Sequence, residues 1–421
     1  MVYPHSMDRP LADPALDTLA QTQPELARRF SAGWDTPAAR WAAAQWAPPE
    51  SPRFEPALRR ALAAQLAVSA GPGSEALLDS IEANGVVLTP HHVCPTPGPT
   101  FGAIDVLSAL GHPGPILVLA WSGVPISNSA VSGALCYAVA QPGDLLQEGS
   151  AALARHRRSI RDRSRDGVTE GRLNLVPSRL RDRLLYRCPM PDSVDEVLGS
   201  ASAQLAALVP RPLAGESYPA WSIRTATAIQ RRMLGRDDLW YIDLNEVATR
   251  YLLEVLAEPD HPISRLVRAD PEGPLAAVSD LSWFYTRRPG KREKVTTLRR
   301  CPEALADGLA SGAVCPGLVP VFGALRLLSR VHLLGGFRQV CYLEAIADAW
   351  LAAGLVGTDQ GVPGRLMTGR LTTGGQPVYP LDVALGTVGT SALPGPATPM
   401  STLWRPLLAR VAGRAPEPRA G

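Results

Sequence analysis

A short β-branched run, Val86-Val87-Leu88-Thr89, and a continuous apolar run, Ile116 to Trp121, constrain this chain more than any other feature. Between them lie a Pro/Gly-rich loop from Pro90 to Pro99, a helical pattern from Thr100 to Leu110 and an exit from Gly111 to Gly114. A strand that is apolar at every position has no face to give to water. It therefore belongs to a parallel sheet covered on both sides, with a helix as the crossover between neighbours. The expectation is an α/β fold with a Rossmann-like parallel sheet core, an N-terminal helical segment and helical insertions.

The remaining pattern extends this frame. Ala39 to Ala47, Pro56 to Val68 and Ser74 to Ala83 carry helical periodicity, and Asn84-Gly85 stops the last of them, so residues 1–84 read as the helical segment. The core is expected over 85–353, with a charged helical insertion at about 145–235 and helices at 193–210 and 223–235. Further strands are predicted at Leu239 to Leu244, Ser282 to Thr286 and Val331 to Leu334, and helices at Asn245 to Leu256, Leu318 to Leu328 and Gln339 to Ala353. Residues 354–421, rich in Gly, Pro and Thr, read as a C-terminal wrap with a disordered end.

Composition excludes several classes of function. Lys plus Arg is 42 against 39 for Asp plus Glu, a formal charge of +3, too balanced for a dedicated nucleic-acid binder. No apolar run approaches a membrane span, and the N-terminus has no signal-peptide pattern, so a cytoplasmic protein without nucleic-acid or membrane partners is expected. The six cysteines form no tight pairs and read as free thiols.

In a parallel sheet, ligands bind beyond the carboxyl ends of the strands. After the first strand come His91, His92, Cys94 and Thr96; after the second come Ser122, Ser127, Asn128 and Ser129. Gly98 and Gly102 bracket Thr100, a candidate helix N-cap, where free N–H groups suit a phosphate or carboxylate. Neither a Walker loop nor a GxGxxG fingerprint is present. A neutral imidazole of His91 or His92 suits a general base, with loop packing the plain alternative. The two histidines and Cys94 lack a fourth ligand at a recognisable spacing, so no metal is assigned.

Two more elements complete the candidate set. Gly335-Gly336 precedes a helix carrying Arg338, Gln339 and Tyr342; a cation in a first turn opposes the helix dipole unless an anion offsets it, or unless Arg338 simply pairs with Glu344. The only lysines of the chain are Lys291 and Lys294, in the basic turn Arg287 to Lys294, against 40 arginines among the 42 basic residues. Compact ammonium groups there suit moving phosphate charge; an exposed hairpin end is the alternative.

Thr89-Pro90-His91-His92, then Gly98-Pro99-Thr100-Phe101-Gly102-Ala103-Ile104-Asp105, the strand Ile116 to Trp121 and the late Gly335-Gly336-Phe337-Arg338-Gln339 with Tyr342 resemble, in order and spacing, the cysteine-adding enzyme family of bacillithiol biosynthesis. That family is a Rossmann-like group of ligases distantly related to HIGH-type nucleotidyltransferases, and the likeness covers residues 85–130 and 282–350. Here His91-His92 replaces a Gln-Gln pair, Ser122 to Ser129 replaces an acidic cluster, and no His-x-Gly-His occurs. The resemblance implies a condensing enzyme that joins an activated carboxylate or anionic substrate to an amine or thiol, in specialised metabolism. It implies ATP or another nucleotide with Mg²⁺ as cofactor, with a homodimer allowed. His91 or His92 would handle the proton, while Lys291, Lys294 and Arg338 would neutralise developing charge. The alternatives are a nucleotide-independent lyase or hydrolase in the same cleft, and a non-catalytic scaffold or complex subunit.

Overall fold

The computed structural model describes residues 14–165, 170–269, 282–288, 291–294, 301–357, 362 and 364–412. Five helices open it: α1 Pro14–Thr22, α2 Pro24–Gly33, α3 Ala38–Gln45, α4 Pro56–Ala70 and α5 Ser74–Asn84. Then come β1 Val86–His92, α6 Pro99–Gly111 and β2 Ile116–Trp121, the expected βαβ unit. All six residues of β2 are buried, as a strand covered on both faces requires. The insertion holds β3 Ala134–Tyr137, α7 Pro142–Leu145, α8 Ala151–Arg165, β4 Gly171–Asn174, α9 Asp192–Gly199 and α10 Ala203–Leu208. Helix α11, Tyr218–Leu234, returns the chain to β5 Leu239–Asp243, and α12 Leu244–Ala257 and α13 Pro262–Ala269 follow.

Next stand the hairpin β6 Phe284–Arg288 and β7 Lys291–Lys294, then α14 Pro302–Ser311, β8 Val314–Pro316, α15 Leu318–Gly323, β9 His332–Gly335 and α16 Phe337–Ala352. The chain closes with β10 Arg365–Leu366, α17 Pro380–Ala384 and α18 Met400–Ala412. Five parallel strands form the central sheet in the order β10-β9-β1-β2-β5, so the fold is α/β and Rossmann-like. The hairpin pairs with β8 in a separate antiparallel sheet, and β3 with β4 in another.

Three elements differ from expectation. β1 runs to His92 instead of stopping at Thr89, because its pairing with β2 slips by one residue between Leu88 and His91 and then resumes. Pro90 lies in that interval and has no N–H for the ladder, so a bulge is the natural place for it. The predicted helix from Leu318 to Leu328 is α15 followed by a wider π turn over Ala324–Leu328. The C-terminal segment is more than a wrap: β10 adds a strand to the sheet, and α18 inserts Trp404 edge-on against Phe30 and Trp41. The expected disordered end falls mostly on residues 413–421, outside the described set. No helix among the described residues is long and apolar enough to cross a membrane.

Candidate functional site

The switch point of the sheet sets the site. β1 and β9 are neighbours, but the chain crosses from β1 to β2 on one side and from β9 to β10 on the other. Helices α6 and α16 therefore diverge, and a crevice opens between the carboxyl ends of β1 and β9. Gly98 is the N-cap of α6 and Gly336 the N-cap of α16, and neither helix start has a side-chain cap. Apart from Pro99, and from Gln339, whose N–H donates to Gly336 O at 3.0 Å, their first-turn N–H groups stand at the positive ends of the two dipoles. A Cβ on Gly336 would meet no atom of the described residues within 4 Å.

The floor of the crevice is Gln339, only 2% exposed, whose Nε2 donates to Thr89 Oγ1 at 2.7 Å. Its Oε1 is buried and has no hydrogen-bond partner among the described residues. Gly335 is obligatory beneath it: a Cβ there would collide with the Gln339 carboxamide and the Thr89 carbonyl oxygen.

The two histidines separate, because successive residues of a strand point to opposite faces. His91 is 1% exposed, stacked on Phe101 with ring centroids 4.6 Å apart and edge-on to Tyr241 at 5.7 Å. Its Nε2 lies 3.3 Å from Asp105 Oδ1, and the Tyr241 hydroxyl donates to the other Asp105 oxygen. His91 thus belongs to the interior and does not open on the cleft, which corrects its expected place as a base. His92 is half-buried at the rim, with Nδ1 3.3 Å from Nδ2 of the exposed Asn128. Those two residues meet as the shared strand edge predicts.

The other candidates disperse. Ser122 Oγ donates to Asp243 Oδ1 at 2.8 Å, and its N–H donates to Asn245 Oδ1 at 2.9 Å, closing the ends of β2 and β5 instead of lining the crevice. Burial pushes the Asp243 carboxyl up to about 7, with Glu246 adding to it and the bonds from Ser122 and the Asn245 and Glu246 N–H groups opposing. Thr96 Oγ1 donates to Ala134 O and accepts from Cys136 N–H, fastening its loop to β3. Gly102 lacks a Cβ because Pro380 packs there, so it serves α17 and not a ligand. Thr100 is the second residue of α6 and not its cap, Gly98 taking that place. Ser129 caps a short turn at Ala130–Gly133, and Tyr342 stacks on Phe322, where burial raises its hydroxyl. Burial likewise holds the Cys94 thiol far above the usual range, as a packing residue and not a nucleophile. Glu344, the partner considered for Arg338, is held by Arg326. Lys291 and Lys294 stand on β7 and Arg338 in the first turn of α16, but their side chains lie outside the described set. Among the described residues no group of three or more His, Cys, Asp and Glu could hold a metal ion.

Sequence reasoning missed Asp105 as a partner of His91, reading it as a complement to the helix dipole, and missed Tyr241, Asp243 and Asn245. The one available signal was an acid ending an apolar strand directly before a helix, at Asp243. No protein-family model, curated protein or solved structure matches this chain.

Proposed function

We propose that this chain is a condensing, ligase-like enzyme, distantly akin to the cysteine-adding enzymes of bacillithiol biosynthesis, that holds an anionic substrate between β1 and β9 and joins it to an amine or thiol. One observation carries the reading: two uncapped helix N-termini, at Gly98 and Gly336, flank a crevice floored by the partnerless Gln339 Oε1. A carboxylate or phosphate takes the N–H groups, and a hydroxyl or ammonium on the same ligand donates to Gln339 Oε1. His92 supplies the proton chemistry. Asn128 Nδ2 lies 3.3 Å from Nδ1 and orients the ring, and a neutral His92 would take the proton that the amine or thiol gives up on attack. A nucleotide with Mg²⁺ would serve as the cofactor and supply the leaving group that activates a carboxylate.

Gly336→Asp tests the site without unfolding it. The N-cap backbone, φ −67° and ψ 169°, suits aspartate, so the helix should keep its stability while a carboxylate fills the anion's place. The wild-type chain should gain about 2.7 kcal/mol from inorganic pyrophosphate or citrate at a hundredfold excess over Kd, and the variant should gain none. A wild-type chain indifferent to both anions, or a variant that responds equally, overturns the proposal.

A further inference from the structure

The chain leaving β2 folds over the carboxyl edge of the sheet and is met there by residues 181–186. Ser127 N–H donates to Arg181 O at 2.7 Å and Ile126 N–H to Arg183 O at 2.9 Å. In return, Leu185 N–H donates to Val124 O at 2.9 Å and Tyr186 N–H to Ser122 O at 2.8 Å. Four backbone bonds therefore hold Arg181 and Arg183 beside Asn128, the residue that touches His92. Arg179, Arg181 and Arg183 are all exposed, and none has a carboxylate partner among the described residues. The single acid of the stretch, Asp182, accepts from Ser127 Oγ at 3.3 Å, and Arg181 Nη2 donates only to the Asn174 side-chain oxygen. By contrast, nearby Arg155, Arg157 and Arg187 are each held by a glutamate. Three cations facing water on a pinned backbone keep their charge for something outside the chain, and guanidinium suits oxyanions in particular.

We propose that this arginine ledge is the outer half of the substrate site, so that the ligand is a small molecule with at least two separated anionic groups. One group lies at the N-termini of α6 and α16, and the other on Arg181 and Arg183. The inference rests on the anion-binding reading of the crevice and sharpens it from one charge to two. A diphosphate and a polycarboxylate share the required chemistry.

The test is titration of the full chain and of the Arg181→Gln/Arg183→Gln double variant with inorganic phosphate, pyrophosphate and citrate, read by thermal shift. Both substitutions fall on exposed side chains, so the melting temperature without ligand should hold. In the wild-type chain pyrophosphate or citrate should bind at least about tenfold tighter than phosphate, and salt should weaken that advantage. Preference for pyrophosphate marks a phosphorylated substrate, and preference for citrate a polycarboxylate; either supports the ledge. In the double variant the advantage should vanish while phosphate binding stays. An advantage that survives the double substitution overturns the ledge alone, leaving the crevice to the Gly336→Asp result. Tighter binding of a single-stranded oligonucleotide than of pyrophosphate also overturns it, in favour of a nucleic-acid surface.

Discussion

Nε2 of His91 stands 3.3 Å from Oδ1 of Asp105, with both side chains out of solvent. Asp105 is in the second turn of α6 and receives the Tyr241 hydroxyl from β5, so one carboxylate ties α6 to β5, while its Oδ1 and the His91 Nε2 face each other without a hydrogen bond. Removing one partner of a buried polar set leaves the others desolvated and unpaired, and that penalty is larger than the net worth of the bond itself.

Tyr241→Phe should therefore destabilise the chain by about 1–3 kcal/mol in urea denaturation. Combined with Asp105→Asn, the loss should be smaller than the two separate losses added. Strict additivity, within about 0.5 kcal/mol, would show that the pair does not act as a unit.

The separation of the two histidines is measurable by reagent access. Diethylpyrocarbonate should modify His92 and leave the 1% exposed His91 untouched in the folded chain. Once a condensation is in hand, His92→Gln should lower kcat by about a hundredfold or more with little change in melting temperature. Undiminished turnover would remove His92 from the chemistry.

Asp243 predicts a pH dependence of unusual sign for a carboxylate. Its carboxyl titrates near 3.8 when unfolded and at about 7 when folded, since burial penalises the charge. Between those values folding takes up a proton, so this group makes stability fall as pH rises, with a slope of at most about 1.4 kcal/mol per unit. Asp243→Asn keeps an oxygen for the Asn245 N–H and removes the titration. The variant should show a flatter stability profile from pH 4 to 7, by denaturant titration at several pH values; an unchanged slope would contradict the assignment.

Asp382 makes the strongest structural prediction. Its carboxylate accepts from the backbone N–H groups of Ala138, Val139, Ala140 and Tyr379, pinning the start of α17 to the end of β3. Asp382→Ala should cost at least about 3 kcal/mol, because several buried N–H groups lose their acceptor at once. A loss below about 1 kcal/mol would mean that water replaces the carboxylate without penalty.

Most helices and all the longer strands of the central sheet were legible, since each is written as local periodicity. Ile116 to Trp121 is apolar at every position and became a strand buried at every position. The turn at Gly335-Gly336 was legible too, because only glycine lets Gln339 fold back over the chain. Pro90 was read as the start of a loop, and the ladder instead resumed after it, carrying His91 and His92 onto the strand.

What no local pattern could hold was partnership. Adjacent residues His91 and His92 look equivalent in the sequence, yet strand alternation buries one against Asp105 and leaves the other at the rim beside Asn128. Thr89 and Gln339, Ser122 and Asp243, and Ser127 and Arg181 meet across separations that only the order of the strands determines. Local preference is set by the few residues around a position, so the sequence by itself determined the elements and the edge of the sheet at which His92 and Asn128 meet. Which polar groups satisfy one another, and which remain for a ligand, depends on desolvation in the packed fold, and only the tertiary structure decided that.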